Sequence, residues 1–173
     1  MFDFTTVRTG IKEWILAATS LVGIMADQNA PKPNGPHFIY RITSIMQIGF
    51  DYLSAPNATG FATLYGSRDF TCQIQGFGAD ILSKTEVLRT STQIPVIWSA
   101  LSGRKIVVFD QGAVEDITGL DGTEFEERSS LDVFMRTEMV LTGVDVGLIE
   151  IVNGVATYKN PGSNNLVRNL AVS

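Results

Sequence analysis

Ser129-Ser130-Leu131-Asp132-Val133-Phe134-Met135-Arg136-Thr137-Glu138-Met139-Val140-Leu141 decides the fold class. Leu131, Val133, Met135, Thr137, Met139 and Leu141 fall on one side of a period of two. Asp132, Phe134, Arg136, Glu138 and Val140 fall on the other. Such alternation predicts a β-strand with an apolar face on the core and a charged face, broken by Phe134, toward water. At ~3.3 Å per residue this segment spans about 43 Å, more than a usual strand, so it is expected to project past the domain body.

Reading outward, Val146–Val152 and Val155–Tyr158 flank Asn153-Gly154, a two-residue hairpin signal. Lys159–Ser173 holds Pro161, Gly162 and several Asn, and is expected to be a flexible or partner-ordered tail after a single domain over residues 1–158. Upstream, Lys105–Asp110 reads as a strand, with a bulge or turn at Gln111-Gly112 and a resumption over Ala113–Thr118. Ala79–Thr90 reads as a helix, and Pro95 is expected to stop it from continuing into Val96-Ile97-Trp98. Asp69–Phe77 and His37–Ile48 alternate as strands, the latter apolar on both faces and so expected to be covered on both; residues 51–60 read as loop. Gly23–Asp27 is a short strand candidate, and Gln28–Pro36, with three prolines and an Asn-Gly, is a stiff extended loop. Val7, Ile11, Trp14, Ile15, Ala18 and Leu21 lie at helical spacing over residues 5–20, with Asp3, Thr5 and Thr6 as candidate caps. The class is α+β: a mostly antiparallel sheet with one N-terminal and one central helix packed against it.

Composition narrows the function. The chain has 173 residues and a formal net charge of −5, which argues against general phosphate binding. One Cys and one His build neither a disulfide framework nor a Cys/His metal site. The apolar run over residues 14–26 is shorter than the ~20 residues a spanning helix needs, and its flank does not resemble a signal peptide, so no membrane partner is expected.

Catalytic patterns fail. Gly76-Phe77-Gly78-Ala79-Asp80-Ile81 lacks the third glycine of a dinucleotide fingerprint, and neither a phosphate loop nor a nucleophile elbow occurs. His37 is expected to be structural, and Cys72, facing the side of Phe70 and Ile74, to be a small buried hydrophobe. No enzyme and no cofactor are expected. Between Ile106 and Glu127 stand Asp110, Glu115, Asp116, Asp121, Glu124, Glu126 and Glu127 with no basic residue. That run is either a solvated face, a cation site built on Asp116, Asp121 and Glu124, or a functional acidic surface.

Three segments together resemble the short neck and tail terminator proteins of tailed bacteriophages. The first is Asn29-Ala30-Pro31-Lys32-Pro33-Asn34-Gly35-Pro36, leading into a strand that carries Arg41-Ile42-Thr43-Ser44-Ile45. The second is Phe125-Glu126-Glu127-Arg128-Ser129-Ser130-Leu131-Asp132-Val133, and the third is Asp145-Val146-Gly147-Leu148-Ile149-Glu150. His37 and Leu148 depart from the pattern, standing where aromatics are expected.

The resemblance implies a non-enzymatic virion protein of the neck or tail, assembled in the host cytoplasm. It implies a ring, usually a hexamer, that caps the tail-tube protein, ends tube polymerisation and meets the head-side connector while DNA passes through. The alternative within virions is another head–tail connector or stopper, or a tail-tube subunit. Outside them stand a small-ligand-binding or enzymatic α+β domain and a host-cell adaptor. On the ring reading, Asn29, Pro31, Lys32, Pro33, Asn34, Gly35 and Pro36 form a docking loop. Glu124, Glu126 and Glu127 are candidates for an acidic lumen. Arg128, Asp132, Phe134, Arg136 and Glu138 are candidates for a strand between subunits.

Overall fold

The computed structural model describes residues 2–26, 33–121 and 124–147. In chain order the elements are α1 (Phe4–Thr19), β1 (Val22–Met25), β2 (His37–Leu53), β3 (Phe61–Phe77), α2 (Ile81–Ser91) and α3 (Pro95–Gly103). Then follow β4 (Ile106–Gln111), β5 (Glu115–Asp116), β6 (Gly119–Asp121), β7 (Glu124–Glu126) and β8 (Arg128–Asp145). One six-stranded sheet runs β1-β2-β3-β8-β4, with β5 also beside β8, and β6 and β7 form a separate two-stranded ribbon. All pairings are antiparallel except β1 with β2. The α+β expectation holds.

Helices cover one face of the sheet. The alternation read in β8 delivers Leu131, Val133 and Met135 to that face, beside Phe70, Cys72 and Ile74 of β3 and Phe38 of β2. Val7, Ile11, Trp14 and Ile15 close over them from α1, Ile81 and Leu88 from α2, and Ile97 and Leu101 from α3. Asp3 caps α1, accepting from the Thr5 and Thr6 N–H groups at 3.0 Å each. Two buried polar contacts fix the layers: Trp14 Nε1 donates to Ser91 Oγ at 2.8 Å, and the Thr85 and Ser129 hydroxyls lie 2.6 Å apart.

Three expectations change. First, α3 is a third helix: Pro95 stands in its first turn, where the missing N–H costs no hydrogen bond and the fixed φ favours the start. Second, β2 is not covered on both faces; from Thr43 onward it is mostly exposed. Third, residues 51–53 and 61–68 belong to strands, and β8 runs four residues past Leu141.

The arithmetic of rise explains the last two. A 16-residue helix is about 24 Å long, whereas 17 or 18 strand residues span roughly 56–59 Å. The helix layer therefore cannot cover β2, β3 and β8 to their ends, and the far halves project as a three-stranded arm. Asn57 shapes its tip loop, its Oδ1 accepting from the Thr59 and Phe61 N–H groups at 2.9 and 3.0 Å. The hairpin expected over 146–158 and the tail over 159–173 fall almost wholly outside the described residues.

Candidate functional site

Two surfaces lie beyond the core: the face of the sheet that no described helix covers, and the projecting arm. Arg128, Asp132, Phe134, Arg136 and Glu138 all lie on the uncovered face of β8. Between Arg128 and Thr137 the backbone of β8 has β3 on one side and β4 or β5 along most of the other. This stretch therefore offers side chains rather than a ladder edge.

Those side chains form a cross-strand lattice. Arg136 holds Asp69 on β3 through Nε and Nη2 at 2.6 and 2.9 Å, with its guanidinium carbon 5.5 Å from the Phe109 ring centre. That contact keeps the Asp69 carboxyl below the usual carboxylate range. Arg128 holds Glu126 at 2.7 and 3.0 Å and lies over Phe77. Glu138 faces Lys105 at 3.8 Å, and Asp132 is exposed.

The acidic candidates sit at the other end of β8. Glu127 Oε2 accepts the Asp80 N–H at 2.7 Å at the start of α2, while Glu126 is engaged by Arg128. The main chain of Glu124 lies in β7, and its side chain is outside what the structure describes. No group of three or more metal-binding side chains occurs among the described residues.

Of the docking-loop candidates, Asn29, Pro31 and Lys32 fall outside the described residues. Asn34, Gly35 and Pro36 are exposed and Pro33 is half-buried, beside the start of β2. Here the chain holds its single histidine. The His37 Nδ1–H donates to the Gly35 carbonyl at 2.8 Å, and the ring stacks on Phe77 at 5.4 Å. His37 is only 1% exposed, yet its Nε2 has no hydrogen-bond partner among the described residues. It borders a cavity of about 480 Å³ on the uncovered face, shared with Ile24, Ile39, Arg41, Gln73, Gln75, Phe77, Glu126 and Arg128.

Sequence reasoning expected the strand from Ser129 to project but overlooked the β3 half of the arm and the end of β2. The arm's apolar side chains stay in water: Phe50 is 102% exposed, and Met46, Tyr52, Phe61 and Tyr65 are exposed as well. The only available signals were Gly49 and the turn residues Pro56–Gly60, which bracket a stretch without clean alternation. Cys72 is wholly buried, and burial pushes its thiol pKa up, as expected of a small core hydrophobe. No described helix is long and apolar enough to cross a membrane.

The arrangement contains ion-paired lattices, an open sheet face and exposed apolar arms, which are features of a surface that meets other proteins. Among curated proteins none matches the chain. A family model described as phage neck terminator protein matches residues 5–161. The chain therefore belongs to the phage neck terminator family, a structural component of the neck or tail of the virion.

Proposed function

We propose that this chain closes into a ring, most simply a hexamer, at the head-proximal end of the tail tube. The ring ends tube polymerisation, presents a surface to the head-side connector and leaves a channel for DNA. Membership in the neck terminator family across residues 5–161 is the observation that carries this reading. The arm supports it, because an exposed apolar projection needs a protein partner.

Within this reading the loop over residues 29–36 docks on a neighbouring virion protein, its prolines limiting the freedom lost on docking. The uncovered face of β8, with Arg128, Asp132, Phe134, Arg136 and Glu138, meets a neighbouring subunit. Glu124, Glu126 and Glu127 line the channel. Six subunits at −5 give a ring of roughly −30, which repels DNA and lets it slide.

The reading is tested by adding the purified chain to polymerising tail-tube protein. Tubes of arrested length with one terminal ring are the expected result. Incorporation of the chain along the tube wall, or no effect on tube length, contradicts it and favours a tube subunit or stopper.

A further inference from the structure

We propose that consecutive copies join edge to edge, the outer side of β2 in one copy pairing antiparallel with the outer side of β4 in the next. This rests on the ring reading and adds a main-chain joint to the contact made by the β8 face.

The first edge is on β2. Strand β1 covers β2 only from His37 to Tyr40, and the Ala26 N–H ends that pairing on the Tyr40 carbonyl at 2.8 Å. From Ser44 to Ile48, β2 has β3 on one side and no described strand on the other. The second edge is on β4, which has β8 on one side and likewise no described strand on the other. Edges that must stay unpaired are guarded by lysine, by proline or by bulges. Ile42–Ile48 holds no charge and no proline, and Ile106–Gln111 holds Asp110 alone. Each edge has one bulge toward the body, at Thr43 and at Phe109, which leaves Ile45–Gln47 and Ile106–Val108 regular. Toward the arm tip the regular stretch of β2 ends where Gly49, at a φ of 67°, opens a bulge between the pairs Ile48–Ser67 and Tyr52–Tyr65.

The two edges match in height and in direction. Ile45 pairs with Phe70, Phe70 with Met135, and Met135 with Val108. The next row runs Met46, Asp69, Arg136, Val107. The open edge of β2 therefore stands level with the open edge of β4, across the same four strands. Three antiparallel steps also make β2 and β4 run in opposite directions. Rotation alone, with no shift along the strands, thus brings β4 of the next copy against β2, antiparallel and level with it. A heterologous contact whose rotation closes gives a ring, and level edges are what closure requires. This match between the two edges of one sheet is what selects a second copy as the occupant.

The side chains agree. Met46 and Val107, 61% and 46% exposed, lie on the uncovered face in one row, and Ile45 lies on the helix side in the row of Val108. Phe109, beneath Arg136, is exposed beside them. Apolar pairs directly opposite one another stabilise an antiparallel joint, and like charges there destabilise it.

Within one copy Met46 and Val107 stand three strand spacings apart, about 14 Å. A disulfide needs Cα atoms within about 7 Å, so one between these positions can form only between copies. Met46→Cys/Val107→Cys is oxidised mildly under conditions where the wild-type chain forms rings; Cys72 is wholly buried and takes no part. A ladder of covalent multimers ending at the subunit number of the ring is expected on non-reducing denaturing gels, with monomers only from either single variant. Ser44→Cys/Val107→Cys and Ile48→Cys/Val107→Cys scan the registers two residues to either side. A second test uses charge: Met46→Lys/Val107→Lys is expected to lose rings at least tenfold by native mass spectrometry, while Met46→Lys/Val107→Glu keeps them, both folded by circular dichroism. Wild-type rings with no cross-link in any of the three pairs, or equal rings from the two charge variants, overturn the joint, leave the ring reading standing and give the β2 edge to another occupant. Covalent dimers from Met46→Cys alone overturn it in favour of a two-fold pairing of β2 with β2. A wild-type chain that never associates removes both the joint and the ring.

Discussion

Asp51 grips Arg68 with both carboxylate oxygens while lying over the bare Cα of Gly66 on the neighbouring strand. A Cβ at position 66 would collide with the Asp51 carboxylate and also stand 2.8 Å from Arg68 Nη1. This three-residue arrangement holds the bulge of β2 in place on the arm, beyond the reach of the helix layer.

Gly66→Ala is therefore expected to break the Asp51–Arg68 pair without unfolding the body. Amide exchange over residues 45–53 and 61–68 should speed up at least tenfold, while that of Ile74 and Leu131 stays unchanged. Uniform protection across both regions would show that the arm does not depend on this glycine.

The same ion pairs set an acid response. The Arg68 contact lowers the Asp51 carboxyl below its usual 3.8, and the Arg136 contact does so for Asp69. A depressed carboxyl contributes stability above its unfolded value, and that contribution is lost as pH falls through its folded value. Urea midpoints of wild type and of Asp51→Asn/Asp69→Asn are expected to differ at pH 7 and to converge well below pH 3.8. A difference that persists unchanged at low pH would contradict the pairing.

Core and arm should respond unequally to truncation. Leu131→Ala removes a wholly buried side chain from the centre of β8 and is expected to cost about 2–5 kcal/mol of unfolding free energy. Val140→Ala, on the arm portion of the same strand and 37% exposed, is expected to change it by roughly 0.5 kcal/mol or less. Chemical denaturation checks both. Equal losses would mean that the arm folds as part of the core.

Glu124→Lys/Glu126→Lys/Glu127→Lys tests the acidic channel. Assembled particles carrying it should form neck rings in normal number but release DNA several-fold more slowly, most strongly at low salt. Normal release from such particles would place the three acids away from the DNA path. Glu126 and Glu127 also hold Arg128 and the Asp80 N–H, so thermal stability of the variant is measured alongside.

The parts of the fold visible in the sequence are those where one face is dry and the other wet. Leu131 to Leu141 alternates because helices cover only one side of the sheet, and Val7 to Ile15 repeats at helical spacing because α1 is one of those helices. The projection of the strand from Ser129 was legible in its length, but residues 49–53 and 61–68 were not, because both their faces are largely uncovered and no pattern marks an inside. Helix α3 was hidden because Pro95 reads as a break although it begins the helix. At the candidate site, that Arg128, Asp132, Phe134, Arg136 and Glu138 share the uncovered face follows their alternation, but which side chains of β3 they meet required the pairing of β3 with β8. Phe50 left no signal, since an isolated Phe after a Gly looks like any other strand residue.

The measurement that tests the central claim most directly is native mass spectrometry of the purified chain, alone and with tail tubes, with negative-stain images of the same samples. A closed ring near six subunits, present from the start or formed on the tube ends, is the predicted result. A chain that stays monomeric and ignores the tubes would contradict it.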